Sequence, residues 1–207
     1  MSEAAARPSV ALTFDAEHPD RPWCPPGNAD RILDALAEAS VRATFFVQGR
    51  WAEAYPTTAR RIADDGHLVG HHSHYHARMP LLLGGGFADD IADGQAAIQA
   101  ATGVDPRPWF RCPFGAGADD ERVQSELAAA GYRDVRWDVV LDDWEPWRTG
   151  EAIAADAIEG VRNHGDGAIV LMHTWPGGTG EGLPSMLEGL RGLGATFVRI
   201  DELEPSP

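Results

Sequence analysis

The chain has 207 residues, which is enough to bury a full hydrophobic core and favours a single domain, residues 1–207 with a core of about 8–205. Its 32 acidic and 17 basic residues give a net charge of −15, so nucleic acid and anionic membrane surfaces are not expected as partners. Lysine is absent, which excludes Schiff-base chemistry and a P-loop. No secretory signal is visible, so a cytoplasmic location is expected, with secretion left open if a leader precedes this sequence.

Short apolar runs alternate along the chain with segments of helical spacing. Strands are predicted at residues 10–14, 43–47, 67–71, 108–111, 135–141, 168–172 and 196–200. Helices are predicted at residues 28–39, 51–65, 87–101, 119–130, 151–163 and 185–193. Asn28 is the predicted N-cap of the first helix. This alternation of roughly seven β/α units predicts a parallel sheet with helices outside, either open or closed into a barrel.

Five of the eight histidines lie in one segment, residues 66–76. Neutral imidazole is a common ligand of zinc and similar divalent metals. His72 and His76 are four residues apart, a spacing at which one helical turn places both rings on one side. Because five histidines lie so close together, the segment favours a metal site over a polar surface loop.

Polar side chains follow the predicted strands at their C-terminal ends. These side chains are Asp15, His72, His76, Arg111, Asp138, Asp142, Asp143 and His173. In a parallel sheet these ends share one face, so the residues are expected to converge. A divalent metal held by two histidines and a carboxylate supports metal-assisted hydrolysis. In that chemistry Asp15 suits the general base, Arg111 the group that orients it, and His173 the general acid.

Five short motifs occur in a defined order along the chain. They are Thr13-Phe14-Asp15, His72-Ser73-His74-Tyr75-His76, Arg111-Cys112-Pro113-Phe114-Gly115, Asp143-Trp144 and Leu171-Met172-His173. With these five motifs in this order, the chain resembles the polysaccharide deacetylase superfamily, the NodB-like group of carbohydrate esterase family 4, over residues 10–203. The resemblance implies an α/β fold, a distorted (β/α)7-type barrel with parallel strands. It also implies hydrolysis of the amide bond of an N-acetylated sugar or related small molecule.

The resemblance also implies roles for individual residues. The base corresponds to Asp15, the metal histidines to His72 and His76, the orienting arginine to Arg111 and the acid to His173. The implied cofactor is one divalent metal ion, zinc ahead of cobalt, nickel or manganese. The implied partner is a small-molecule or oligosaccharide substrate. Contacts with it are predicted for Phe114, Gly115, Trp144 and Trp175.

Two positions depart from the family pattern. Ala16 stands where the family has a second aspartate that binds the metal, and we expect Glu17 to be the third ligand, with His18 as the alternative. Val140 stands where the family has the aspartate that holds the acid histidine. Side chains alternate along a strand, so Asp138 lies on the same face as position 140 and is expected to replace it.

Three functional hypotheses follow. The first is a metal-dependent amide hydrolase that acts on an N-acetylated sugar. The second is a member of the same fold that acts on a non-sugar amide or a ring C–N bond in small-molecule metabolism. The third is a binding protein that has lost its metal and its catalytic activity.

Overall fold

The computed structural model describes residues 7–18 and 24–203. Its strands are β1 (Ser9–Ala16), β2 (Thr44–Val47), β3 (Leu68–His71), β4 (Trp109–Phe110), β5 (Arg133–Asp134), β6 (Val139–Val140), β7 (Ala168–His173) and β8 (Thr196–Val198). Its α-helices are α1 (Asn28–Glu38), α2 (Gly49–Ala54), α3 (Pro56–Asp64), α4 (Gly85–Thr102), α5 (Glu121–Ala129), α6 (Gly150–His164), α7 (Gly177–Gly192) and α8 (Ile200–Leu203). None of the helices in the described residues is both long enough and apolar enough to cross a membrane.

The described residues divide into two compact units. The first comprises residues 7–13, 24–43 and 137–203. In it, β8 and β7 are both neighbours of β1, and β6 pairs with β7. The pairs β1–β8 and β6–β7 are parallel. Helices α1 and α6 both pack against α7.

The second unit comprises residues 14–18 and 44–136. Its strands follow the order β2, β3, β4, β5, and all three pairings are parallel. Every residue of β2 is buried, as expected for a parallel strand that is covered on both faces. A buried cluster of apolar side chains fills this unit beside β4, and its members are Met79, Phe87, Ile91, Phe110, Cys112, Val123, Leu127 and Tyr132.

The elements follow the predicted α/β alternation with shifted bounds, and the strand predicted over residues 196–200 ends at Val198 before α8. Three further differences are larger. The helix predicted over residues 51–65 is two helices, because Pro56 lacks an N–H and begins α3 instead of continuing α2. The strand predicted over residues 135–141 is replaced by β5 and β6, two short strands on either side of residues 135–138. Helix α7 begins at Gly177, eight residues before the predicted start at 185, and Pro184 lies within it.

The predicted N-cap at Asn28 is wrong. Gly27 occupies the cap position with a left-handed backbone, φ 72°, and no side chain caps this helix. The buried amide of Asn28 instead donates two hydrogen bonds of 2.9 Å to the carbonyls of Thr174 and Pro176. Asn28 therefore stabilises the segment after β7, because a buried amide needs hydrogen-bond partners.

Candidate metal and catalytic site

Three side chains of the second unit bring possible metal-ligand atoms together. Glu17 follows β1, His72 follows β3, and His76 lies four residues further along; their ligand atoms are all within 4.8 Å of one another. His72 Nε2 is 3.7 Å from Glu17 Oε2, and His76 Nε2 contacts the same oxygen. Glu17 and His72 are buried, and His76 is half-buried. We call Glu17, His72 and His76 the ligand cluster.

The residues on either side of Glu17, Ala16 and His18, contribute no ligand atom to the cluster. Ala16 is fully buried, and its carbonyl accepts a hydrogen bond of 2.9 Å from the N–H of Gln48. Its methyl group has no ligand atom. His18, the alternative third ligand, has its Nε2 3.1 Å from the carbonyl oxygen of Arg50. The geometry therefore favours Glu17 over His18.

A left-handed turn, not a helical turn, brings His72 and His76 together. Their ring centroids are 5.0 Å apart. Ser73 and His76 both have positive φ, 62° and 57°, and the N–H of His76 donates to Ser73 Oγ at 3.1 Å. The two rings lie on one side, as one helical turn would also place them, but the backbone between them is not helical. Such conformations cost about 1–3 kcal/mol each and are common at functional sites.

Asp90 on α4 fixes this turn, a role that none of the sequence motifs indicates. Its carboxylate accepts hydrogen bonds of 3.0 Å from the backbone N–H groups of His74 and Tyr75. Asp90 is itself buried. A buried carboxylate needs such donors, so the pairing stabilises both the acid and the turn that carries His76.

The orientation of the His72 ring is set by its second nitrogen. Nδ1 lies 2.8 Å from the backbone carbonyl of Arg111, and since a carbonyl only accepts, Nδ1 carries the hydrogen. Nε2 therefore faces the carboxylates of Glu17 and Asp15. Burial lowers the pKa of His72, but these two carboxylates outweigh it and raise that pKa above its ordinary value. A metal ion bound at Nε2 would compensate the negative charge of the same two carboxylates, as a proton there does.

Asp15 lies beside the ligand cluster in an arginine clamp. Its Oδ2 is 3.5 Å from His72 Nε2, and its Oδ1 accepts a hydrogen bond of 2.9 Å from Arg111 Nη1. Arg111 is fully buried, donates through Nε to the Val135 carbonyl at 3.1 Å and stacks on Phe46 at 4.1 Å. Burial lowers the pKa of Arg111 against the opposing effect of Asp15. Arg111 therefore holds Asp15 in one orientation.

In the first unit, Asp143 and His173 form a hydrogen-bonded pair that we call the acid pair. His173 Nδ1 is 2.7 Å from Asp143 Oδ1. The other oxygen of Asp143 accepts hydrogen bonds of 2.7 Å from the backbone N–H of His173 and from Thr179 Oγ1. Trp144 and Trp175 lie against the imidazole, with ring centroids 5.5 and 5.9 Å away. The carboxylate is thus saturated with donors and fixes the ring.

The prediction that Asp138 holds His173 is wrong. Asp138 Oδ2 accepts a hydrogen bond of 2.9 Å from the N–H of Ile169 and lies 3.8 Å from His164 Nε2. The alternation argument failed because β6 contains only Val139 and Val140. Beyond the strand, Asp142 has a positive φ of 48°, and the residue after it, Asp143, pairs with His173.

The four residues predicted to contact substrate occupy different environments. Phe114 is exposed, has a φ of 59° and packs on the ring of His76 at 4.5 Å, and Gly115 beside it has a φ of 64°. Trp144 is half-buried and Trp175 is buried, both against His173. Their contacts with substrate stay predictions.

Comparison with known proteins gives consistent matches. A family model for polysaccharide deacetylase matches residues 2–135. The peptidoglycan-N-acetylglucosamine deacetylase of Bacillus cereus is 30% identical over 94% of this chain and 67% of its own length. A family 4 carbohydrate esterase from Streptomyces lividans, solved in complex with acetate, has a TM-score of 0.79 at 32% identity and covers 92% of this chain and 91% of its own.

A third similar protein has a different character. It is a CE4 family pseudoenzyme from Bacillus anthracis, with a TM-score of 0.81 at 30% identity, and the match covers 96% of this chain and 66% of its own. The solved structures confirm the predicted fold class. With the family model covering more than half of its residues, this chain belongs to the polysaccharide deacetylase family.

Proposed function

We propose that this protein is a metal-dependent hydrolase that removes the acetyl group from an N-acetylated amino sugar. The observation that carries the proposal is the ligand cluster, whose atoms lie within 4.8 Å of one another, with Asp15 3.5 Å from His72 Nε2. The deacetylase among its relatives supports the same reaction.

The donor set of the ligand cluster suits a divalent metal. Two imidazole nitrogens and one carboxylate oxygen match the ligands of catalytic zinc sites, so we propose zinc, with cobalt, nickel and manganese as alternatives. Nδ1 of His72 is occupied by a backbone carbonyl, which leaves Nε2 for the metal. When bound, the metal polarises the acetyl carbonyl and lowers the pKa of water.

Asp15 is the proposed general base. It accepts the proton of the attacking water as that water adds to the acetyl carbonyl carbon. The hydrogen bond from Arg111 holds Asp15 in one orientation before the reaction.

His173 is the proposed general acid. The C–N bond breaks as the amine nitrogen takes a proton from His173, and acetate and the free amino sugar are the products. Asp143 accepts from Nδ1 and thereby favours the imidazolium form, while Nε2 is the nitrogen that delivers the proton.

The size of the substrate remains part of the proposal. The cytoplasmic location expected from the sequence favours a small amino sugar, whereas the Bacillus cereus relative is a peptidoglycan deacetylase. Acetate release from N-acetylated monosaccharides, chitooligosaccharides and peptidoglycan fragments separates these substrates. Release from none of them, with turnover of a non-sugar amide, would support the second hypothesis.

Metal analysis and acetate release test the proposed function together. We expect the purified protein to retain one equivalent of a divalent metal, to gain thermal stability on metal addition and to lose acetate release with a chelator. Glu17→Gln keeps the size of the side chain and should lower metal affinity at least about tenfold. Glu188→Gln, an exposed change on α7, is the matched control.

The third hypothesis, a metal-free binding protein, has support from Ala16 and from the Bacillus anthracis pseudoenzyme. It predicts no bound metal, no stability gain on metal addition and no acetate release. Equal metal affinity in Glu17→Gln and the wild type would remove Glu17 from the ligand set while leaving the reaction class in place.

A further inference from the structure

A cavity of about 370 Å³ lies beside the ligand cluster in the second unit. This volume falls within the range of about 300–1,000 Å³ that is typical of small-molecule sites. Its lining residues are His18, Gln48, Arg50, Tyr75, His76 and Phe114. Because His76 belongs both to the ligand cluster and to this lining, a substrate at the metal site has the cavity next to it.

The charge of the cavity is opposite to that of the chain. Among the described residues that line it there is no carboxylate, although acidic residues outnumber basic ones by 32 to 17 in the sequence. Arg50 supplies a fixed positive charge. Within residues 7–18 and 24–203 its guanidinium has no ion pair or hydrogen bond, and it lies 5.9 Å from the centroid of the Tyr75 ring.

Gln48 adds a second donor to the same cavity. It is buried, and its Oε1 accepts a hydrogen bond of 2.9 Å from the backbone N–H of His18. Since only the oxygen accepts from an N–H, this bond fixes the amide orientation, and the amide nitrogen is left with no partner in the part of the chain that the structure describes. His18 also contacts the Arg50 carbonyl at 3.1 Å, which ties the two donor residues together.

We infer that this cavity binds a carboxylate on the substrate, next to the acetamido group that is cleaved. The planar guanidinium of Arg50 pairs with a carboxylate through two parallel hydrogen bonds, and the Gln48 amide adds a third donor. The inference rests on the proposed function and narrows its substrate class to acidic N-acetylated amino sugars. Arg50 and Gln48 are then specificity-determining residues.

A matched pair of substrates tests the inference on the metal-loaded full chain. One is a short glycan that contains N-acetylmuramic acid, and the other is the same glycan with each carboxylate converted to a carboxamide. Both kcat/KM for acetate release and Kd by calorimetry are measured. Because Arg50 is exposed, we expect a preference of about tenfold for the acid, below the full strength of a buried charged hydrogen bond.

Three variants test whether Arg50 causes this preference for the acid. Arg50→Gln should reduce the acid-to-amide ratio to about one, and Arg50→Lys should retain part of it because the charge remains. Arg42→Gln is the matched control: Arg42 precedes β2 in the chain where Arg50 follows it, is also exposed, and has no carboxylate partner among the described residues. It should keep the wild-type ratio.

The two measurements separate the inference from the function on which it rests. Equal kcat/KM and equal Kd for the two glycans, or a ratio that survives in folded Arg50→Gln, would overturn the carboxylate site and leave the deacetylase intact. A different result would overturn the proposed reaction and support the carboxylate site. In that result neither glycan releases acetate, the wild type binds the acid more tightly than the amide, and Arg50→Gln binds both equally.

Discussion

The ligand cluster and the acid pair both place imidazole against carboxylate, but they engage opposite ring nitrogens. In the ligand cluster, Nδ1 of His72 donates to a backbone carbonyl, and Nε2 faces Asp15 and Glu17. In the acid pair, Nδ1 of His173 faces Asp143. The nitrogen that the protein fixes determines what the ring offers, which is a metal ligand in the first case and a proton donor in the second.

The largest effect is expected for His72→Ala. It removes one ligand atom of the cluster, so we expect metal to be lost and kcat/KM to fall by about 10³-fold or more, since metal stabilisation of the transition state is worth several kcal/mol. Metal content and acetate release measure the two effects. His164→Ala at the end of α6 is the control. Retained metal and unchanged turnover in His72→Ala would show that the cluster is not the metal site.

Asp15→Asn should separate base function from metal binding. Its amide oxygen can still accept from Arg111, but it is a poor base, so kcat should fall by about 10²–10⁴ while metal stays bound. Because Arg111 is buried, loss of the opposing charge should also lower the free energy of unfolding. Denaturant titration checks that the protein remains folded during assay. Loss of metal equal to that in His72→Ala would place Asp15 among the ligands instead.

The two regions differ in how far the sequence predicted them. In the ligand cluster, Glu17 lies two residues from Asp15 and His76 lies four from His72, so two short motifs that resemble the family pattern were enough to predict the set. The alternation of strands and helices was predictable for the same reason. The geometry of the turn that carries Ser73 and His76 could not be predicted in this way. Both residues adopt positive φ, and the turn is held by a hydrogen bond to Asp90, which lies on α4.

The acid pair joins residues 30 positions apart, and its prediction depended on the length of one strand. A long strand through residues 135–141 would have placed Asp138 on the face of position 140. The strand is short, and tertiary contacts of the following turn select Asp143. The Asp143-Trp144 motif contained the signal, since it matched the family pattern at the residue that the structure pairs with His173.

Paired variants test this difference directly. Asp143→Asn removes the charge that favours the imidazolium of His173, so we expect kcat to fall by about 10–10²-fold, the low end of general-acid effects. Asp138→Asn makes the same chemical change in a residue that contacts Ile169 and His164, and kcat should stay within about twofold. A larger loss of kcat in Asp138→Asn than in Asp143→Asn would restore Asp138 as the partner.

His71, next to the ligand cluster in sequence, shows the opposite behaviour to His72. It is fully buried, lies between the rings of Phe110 and Tyr132, and within the described residues neither of its ring nitrogens has a hydrogen-bond partner. Burial, together with the charges of His72 and His74, lowers the pKa of His71 to about 3 from an ordinary value of 6.5. The folded protein therefore keeps this ring neutral.

Stability should depend on pH through His71. Below pH 6.5 the unfolded chain binds a proton at this ring that the folded chain does not, so its contribution falls by about 1.4 kcal/mol per pH unit between 6.5 and about 3. Denaturant titrations from pH 7 to 4.5, with a chelator present, measure this slope. His71→Asn should show a shallower slope than the wild type. Equal slopes would mean that His71 is protonated in the folded state.

Among the variants expected to change function, Phe114→Ala should have the smallest effect. The exposed ring packs on His76, and an aromatic contact of this kind contributes about 0.5–1.5 kcal/mol, so KM for a glycan should rise about threefold. Leu83→Ala, which removes another exposed apolar side chain, is the control. A fall in kcat with unchanged KM would indicate that Phe114 holds His76 in place and that the ligand cluster, like the acid pair, needs an aromatic wall to keep its imidazole oriented.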